Sequence, residues 1–537
     1  MRRLVILGLD GATFDLMSPW AEQGRLPTFA RLLDEGAWGA LRSVPNMNTA
    51  PAWTTFMCGK NPGKHGVFWF AEEGEGAGTV RFVNAADRRA TSIWRLLSDG
   101  GREVAAVNVP LTYPAETVNG VLLAGFDAPS TVSPGFCYPP GLIDELQRSC
   151  GRYDLHAAVA HHASAGRHEL VVREALDAEE TRVRAAVHLM KTCSWEVFMY
   201  MIKSTDQVAH YSWEYGSTSQ RWLQPVYEYA DAVAARFLDA AGPDCGILVM
   251  SDHGMGWRQP AAEYLSEILS QLGYAKRSRS DAGSATWRTF RLAKRLGSRA
   301  KGMLKRTLPG AYRRFAYQVR FGGIDWSGTR AYCDNTRSCL WVNLRGRNPN
   351  GIVAPEEYDG LIEELREVLL GLVDAETGEP VVEAAWTPEE IYSGPYTKQS
   401  PDLQIDWRYD RPVHGLVYKG RLGEARSATA ARGFMHTLSG AHRRDGVLIL
   451  QGPQFARAGK LEGSGLEDIA PTILHLAGLP VPDDMDGRVL LEALAEPYAS
   501  APVVRTGPTQ AEEAAQSVYT EQEAADLEER LRSLGYL

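Results

Sequence analysis

Six short apolar runs constrain the fold of this 537-residue chain more than any other feature. Leu4–Leu9, Val104–Val109, Val121–Gly125, Val197–Ile202, Gly246–Met250 and Val447–Leu450 are rich in Val, Ile and Leu. Each stops at a polar or glycine residue, as buried strands do. Helical patterns lie between them. The clearest is Leu223, Val226, Tyr227, Ala230, Val233, Ala234, Phe237 and Leu238, whose steps of three and four place all eight on one face. Strands alternating with helices predict an α/β fold, a three-layer sandwich with helices on both faces of a mostly parallel sheet. In such sheets ligands gather beyond the carboxyl ends of the strands.

The totals exclude several classes. A hydrophobic content of 44% over 537 residues supplies a large core and more than one lobe. The formal net charge of -9 argues against a dedicated nucleic-acid binder, which would be basic. Cys58, Cys137, Cys150, Cys193, Cys245, Cys333 and Cys339 are scattered and odd in number, with no CxxC spacing. They read as reduced thiols of a cytoplasmic protein, neither a disulfide frame nor a thiolate metal site. The apolar run at Leu4–Leu9 is too short for an export signal, and nowhere do eighteen apolar residues run unbroken.

From about residue 271 the texture changes. Between Lys276 and Arg320 the charged residues are basic except for Asp281, and Trp287, Phe290, Leu296, Met303 and Leu304 could form an apolar stripe beneath them. That segment fits a solvated packed face, a grip for a phosphorylated substrate, or a peripheral membrane contact. Residues 271–395 read as an inserted cap lobe, with the chain returning to the core at Pro401–Trp407. The expected core is therefore 1–270 plus 396–494, and 495–537 forms a linker and a C-terminal helix. In that helix Thr520 and Glu523 fit a capping box, and Leu527, Leu531 and Leu534 share a face. No internal repeat is visible.

Candidate chemistry follows the strand ends. Asp10 closes the first run, Asp206 and His210 follow Ile202, and Asp252 and His253 follow Met250. Asp10 fits a short, rigid metal-binding carboxylate or a helix cap. Four residues apart, Asp206 and His210 face one ion if the segment is helical, or form a buried acid–imidazole pair. The Asp252–His253 pair precedes Gly254, which frees the backbone to turn. His442, in Gly440-Ala441-His442-Arg443, is a further candidate, and His436 competes with it. Thr49, before Pro51 and a helical run, sits where a helix opens and free N–H groups favour a phosphate. Its hydroxyl is either a nucleophile or a plain cap. Together these residues offer three Asp, three His and a hydroxyl, enough to hold two zinc-like ions against a phosphoryl group.

In this order, these residues resemble the alkaline phosphatase superfamily. The branch they resemble is the type I phosphodiesterase/nucleotide pyrophosphatase group, with its prokaryotic phosphohydrolase and phosphomutase relatives. The resemblance covers about 1–270 and 395–490 and includes Thr49-Ala50-Pro51-Ala52-Trp53-Thr54-Thr55, Pro62-Gly63-Lys64-His65-Gly66 and Asp468-Ile469-Ala470-Pro471-Thr472-Ile473-Leu474. The closing Glu529-Arg530-Leu531-Arg532-Ser533-Leu534-Gly535-Tyr536 also looks like tails of those relatives.

The resemblance implies two divalent ions, zinc first and manganese second. One would be held by Asp206, His210 and His442, the other by Asp10, Asp252 and His253. Thr49 would be nucleophile and ligand together, passing through a phosphothreonine. Asn48 and Trp53 are the candidate substrate contacts. Two departures stand out. Nucleotide pyrophosphatases carry Asn three positions after the nucleophile, where this chain has Ala52. Sulfatases need Cys or Ser at the nucleophile position, where this chain has Thr49. The expected substrate is a small phosphodiester. The alternatives are a phosphomonoesterase or phosphomutase on the same site, and a non-catalytic phosphoryl- or metal-binding protein.

Overall fold

Along the strand Leu4–Leu9 the side chains alternate between two apolar clusters. Val5, Leu7 and Leu9 enter one, and Leu4 and Ile6 enter the other. This period of two is what a strand buried on both faces requires. The structure, a computed structural model, describes residues 2–73, 80–217, 220–277, 324–333, 337–427, 438–509 and 519–534.

All six apolar runs are strands of one 10-stranded sheet. Parallel pairing runs from Gly246–Met250 through Leu4–Leu9 and Val197–Ile202 to Val104–Val109 and Gly120–Ala124. Asp445–Gln451 joins antiparallel, between Gly246–Met250 and Ala37–Arg42. One face is covered by helices that include His168–Thr192 and Gln224–Ala241, the other by helices that include Thr49–Cys58 and Ile469–Leu476. The apolar face expected around Leu223–Phe237 is buried in the first cluster, with Leu238 packed against its edge. The fold is thus an α/β sandwich on a mostly parallel sheet.

A second lobe has its own core. Ala331–Cys333, Cys339–Val342, Leu403–Trp407 and Val382–Trp386 form a 4-stranded antiparallel sheet. Their apolar side chains share a cluster with Leu265, Ile268 and Leu269 of the helix Ala261–Gln271, and with Leu361 and Leu365 of the helix Tyr358–Leu370. Leu403–Trp407, which the sequence reading gave to the main sheet, pairs here instead. A five-residue alternating run fits either sheet, so only its partners decide. The chain enters this lobe after the strand Gly254–Trp257 and leaves it before the strand Gly440–Arg443, and these two strands pair with each other. The basic residues from 278 to 320, with Trp287, Phe290, Leu296, Met303 and Leu304, lie outside the described residues, as does His436.

The C-terminal helix Glu521–Ser533 docks on the core. Thr520 and Glu523 cap it reciprocally, and Leu527, Leu531 and Leu534 are buried. Arg530 donates to the carbonyls of Phe126, Ala128 and Pro129. Among the described residues no helix is long and apolar enough to cross a membrane. All seven cysteines are free.

If this helix is part of the core, truncating Leu531 to Ala should cost about 2–5 kcal/mol. Urea unfolding checks this, and a change within ~0.5 kcal/mol would mean the helix is only loosely attached.

Candidate metal centre and active site

Three neighbouring parallel strands bring the acids together. Leu9 pairs with Ile202, and Gly8 with Met250, so the strands end nearly level. Asp10 follows the first strand directly. Its N–H donates to Ile202 O at 3.0 Å, and Thr205 Oγ1 donates to Asp10 O at 2.5 Å. Asp206 and His210 lie on the helix Ser204–Ser212, and Asp252 and His253 between two strands. His442 sits opposite Met255 in the antiparallel pair beside them. Gly11 keeps the first turn open. Its φ is +67°, and a Cβ there would lie 3.2 Å from Asp206 Cβ.

The expected ligands fall into two groups, Asp206–His210–His442 and Asp10–Asp252–His253, with one ligand atom from each residue of a group lying within 4.8 Å of the other two. In the first group the Nε2 atoms of His210 and His442 are 3.0 Å apart, and Asp206 Oδ1 lies 3.1 and 3.3 Å from them. In the second, His253 Nε2 lies 3.3 Å from Asp252 Oδ2 and 3.6 Å from Asp10 Oδ1. The groups adjoin, with the His253 and His442 rings stacked at 3.7 Å.

Thr49 is the first residue of the helix Thr49–Cys58, and its Oγ1 is 3.1 Å from His253 Nε2. The cap of that helix is Asn48, whose side chain accepts from Ala50 N and whose carbonyl accepts from Ala52 N. Pro51 has no N–H. The free donors expected at this terminus are therefore largely engaged, which leaves the helix dipole to favour an anion. Trp53 is wholly buried against Phe56, beneath Gly8, in the apolar cluster on that face of the sheet.

The residues fit a pair of divalent ions. His210 Nδ1 faces Gly440 O at 3.2 Å, and His442 Nδ1 faces Met47 O at 2.5 Å. Donating there turns both Nε2 lone pairs toward each other, an arrangement that a cation between them relieves. Donors 3.0–3.3 Å apart also match the corners of a tetrahedron with bonds of roughly 2.0–2.1 Å. In the second group, buried Asp10 Oδ1 and Asp252 Oδ2 accept no hydrogen bond.

Two residues of the site escaped the sequence reading. Lys203, wholly buried, donates to Asp10 Oδ2 at 3.1 Å and to Asp206 Oδ2, and so ties one acid of each group. Glu179, buried in the helix His168–Thr192, accepts from the backbone N–H groups of Lys203 and Ser204, each at 2.9 Å. It thereby anchors the start of the ligand helix, while Arg182 pairs with it at 3.0 Å. Both carried a signal. Lys203 is a cation ending an apolar strand, and Glu179 interrupts the stripe Val171, Ala175, Ala178, Arg182.

Electrostatics follow from burial. Desolvation pushes Asp10 up to about 7 and Asp252 well above the usual carboxylate range, and neighbouring acids add to both. Burial also pushes Asp206 up, but His210 and Lys203 outweigh it and hold it well below its ordinary value. Desolvation keeps His253 and His442 neutral-leaning, below the usual imidazole value.

A family model for type I phosphodiesterase / nucleotide pyrophosphatase matches residues 4–410. The chain belongs to that family. Type I phosphodiesterase and nucleotide pyrophosphatase are the activities for which that family is named. Solved structures that share this fold include two of different named activity. Phosphonoacetate hydrolase from Sinorhizobium meliloti 1021, in complex with phosphonoformate, aligns over 87% of this chain and 94% of its own, with TM-score 0.53 and 14% identity. Human ectonucleotide pyrophosphatase / phosphodiesterase 5 aligns over 92% and 100%, with TM-score 0.50 and 12% identity. Short matches to 2,3-bisphosphoglycerate-independent phosphoglycerate mutases also occur. They are 65% identical over 34 residues for Laribacter hongkongensis and 36% over 97 residues for Prochlorococcus marinus, covering 6% and 15% of this chain. These matches span 7% and 18% of the mutases, under a fifth of their length.

Two predictions follow from the charges. An ion bound here would compete with protons for Asp10 and Asp252, which burial raises, more than for His253 and His442, which burial lowers. Zinc affinity should therefore rise as pH rises toward about 7, with proton release at the lower pH. Calorimetry in buffers of different ionisation enthalpy measures this, and affinity unchanged from roughly pH 5.5 to 7 would contradict it. Lys203→Met strands buried carboxylates, so the chelator-treated variant should lose about 3–5 kcal/mol in urea unfolding. Added zinc should narrow that gap to wild type.

Proposed function

We propose that this chain is a metal-dependent phosphohydrolase that cleaves small phosphodiesters, with Thr49 as nucleophile and Asp10, Asp206, His210, Asp252, His253 and His442 as ligands of two divalent ions. The observation that carries the reading is the Thr49 hydroxyl 3.1 Å from His253, beside two adjoining groups of nitrogen and carboxylate donors. Imidazole nitrogen with carboxylate oxygen favours zinc, and the carboxylates also admit manganese. When bound, such ions polarise phosphoryl oxygens and make a hydroxyl nucleophilic at neutral pH.

The chain's own residues supply the rest. Thr49 Oγ1 gives up its proton to solvent and attacks phosphorus as the bond to the leaving oxygen breaks, giving a phosphothreonine and an alkoxide that takes a proton from solvent. Water then attacks that phosphorus, the bond to Oγ1 breaks, and the threonine hydroxyl is restored. Lys203 holds Asp10 and Asp206 with their other oxygens toward the imidazoles. The lobe between Trp257 and Gly440 is assigned as the cap, and the free cysteines support a reducing, cytoplasmic setting.

A second reading on the same site is a phosphomonoesterase or phosphomutase, favoured by the short mutase matches and by Ala52 where pyrophosphatases have Asn. Hydrolysis of bis-nitrophenyl and mono-nitrophenyl phosphate separates the two. The diesterase reading expects faster diester turnover, and a many-fold monoester preference moves the assignment. Thr49→Ala should lose about 10³-fold or more in turnover while keeping its metal. Full turnover in that variant would remove Thr49 as nucleophile. Asp252→Asn should weaken metal binding and turnover together.

A further inference from the structure

A third group of ligand-type side chains lies outside the central site. His161 and His162, on the short helix Ala160–Ser164, meet Glu174 of the helix His168–Thr192, and one ligand atom from each lies within 4.8 Å of the other two. Adjacent residues on a helix normally point apart. Here the two imidazole centroids are only 3.7 Å from each other, at 41°.

A hydrogen bond prepares the His161 ring as a ligand, and the His162 ring already faces the Glu174 carboxylate. His161 Nδ1 lies 2.8 Å from Ala158 O, so donation there leaves the Nε2 lone pair for an ion. His162 is buried, with 7% of its surface exposed. Its Nε2 lies 2.7 Å from Glu174 Oε1, and its Nδ1 has no hydrogen-bond partner. A buried ring nitrogen without a partner calls for an explanation that a satisfied His–Glu pair alone does not give. His161 is exposed and Glu174 half-buried, which leaves a route for an ion to enter.

We propose that His161, His162 and Glu174 form a further transition-metal site, holding zinc through two imidazole nitrogens and one carboxylate, with a fourth position open to solvent. This donor set selects zinc and its nitrogen-loving neighbours over magnesium and calcium, which take all-oxygen cages. Its place in the fold makes it a clamp. It pins the short helix to the long one, next to a loop whose Ala157 O accepts from Gln207 of the ligand helix at 2.8 Å. The site shares no residue with the central groups, so it stands whether or not the central reading does.

Zinc content measures it directly. Wild type, His161→Ala and Glu174→Gln are stripped with chelator, reloaded at one free zinc concentration, and analysed for bound metal. Each variant is expected to hold one equivalent fewer than wild type, with thermal unfolding of the stripped proteins unchanged. Cobalt in place of zinc should show one tetrahedral absorption component in wild type that both variants lack. Equal zinc content and identical cobalt spectra in all three proteins would overturn the proposal. Asp252→Asn provides the reverse control, since it should keep the component that His161→Ala removes.

Discussion

The structure turns on the cost of burying like charges together. Asp10, Asp206 and Asp252 are wholly buried beyond the carboxyl ends of three neighbouring central strands, where ionised carboxylates are expensive unless cations answer them. Lys203 supplies one positive charge and reaches two of the three. The remainder is what the divalent ions would neutralise. Desolvation, with the neighbouring acids adding to it, raises Asp10 and Asp252, so a metal ion and a proton would compete for the same oxygens.

Such a cluster forms because secondary structure leaves it little choice. Parallel strands in register deliver their carboxyl ends to one line, and each acid follows its strand within a few residues. Backbone contacts then remove the remaining freedom. Gly11 N donates to Asp252 Oδ1 at 3.2 Å, and Ser43 Oγ donates to Asp252 O at 2.6 Å. Glu179 fixes the start of the ligand helix from inside the core, itself answered by Arg182 and by Tyr200 at 2.5 Å. The site is thus supported by a buried polar network reaching deep into one helical layer.

Much of this was legible in the chain. Strand-end acids, the Asp206–His210 spacing and the opening of a helix at Thr49 are local patterns, and local patterns survive folding. What was lost depends on tertiary partners. Trp53, expected as a substrate contact, packs beneath the sheet against Gly8, a contact that only the neighbouring strand supplies. Leu403–Trp407 reads as a strand from its alternation, but its sheet is decided by Cys339–Val342 and Val382–Trp386. Lys203 and Glu179 carry no motif. Their meaning appears only when two distant carboxylates and a helix start are brought beside them.

The second lobe joins the core through the ribbon formed by Gly254–Trp257 and Gly440–Arg443, and packs on it through Phe68, Trp69, Cys339 and Tyr392. His253 adjoins one strand of that ribbon and His442 lies in the other, opposite Met255. Arg443 stiffens the join, donating to Trp257 O and covering the Tyr409 ring at 3.8 Å. A displacement of the lobe along this ribbon would be passed to the stacked rings of His253 and His442, and the contacts of Phe68 and Trp69 with Cys339 and Tyr392 oppose it.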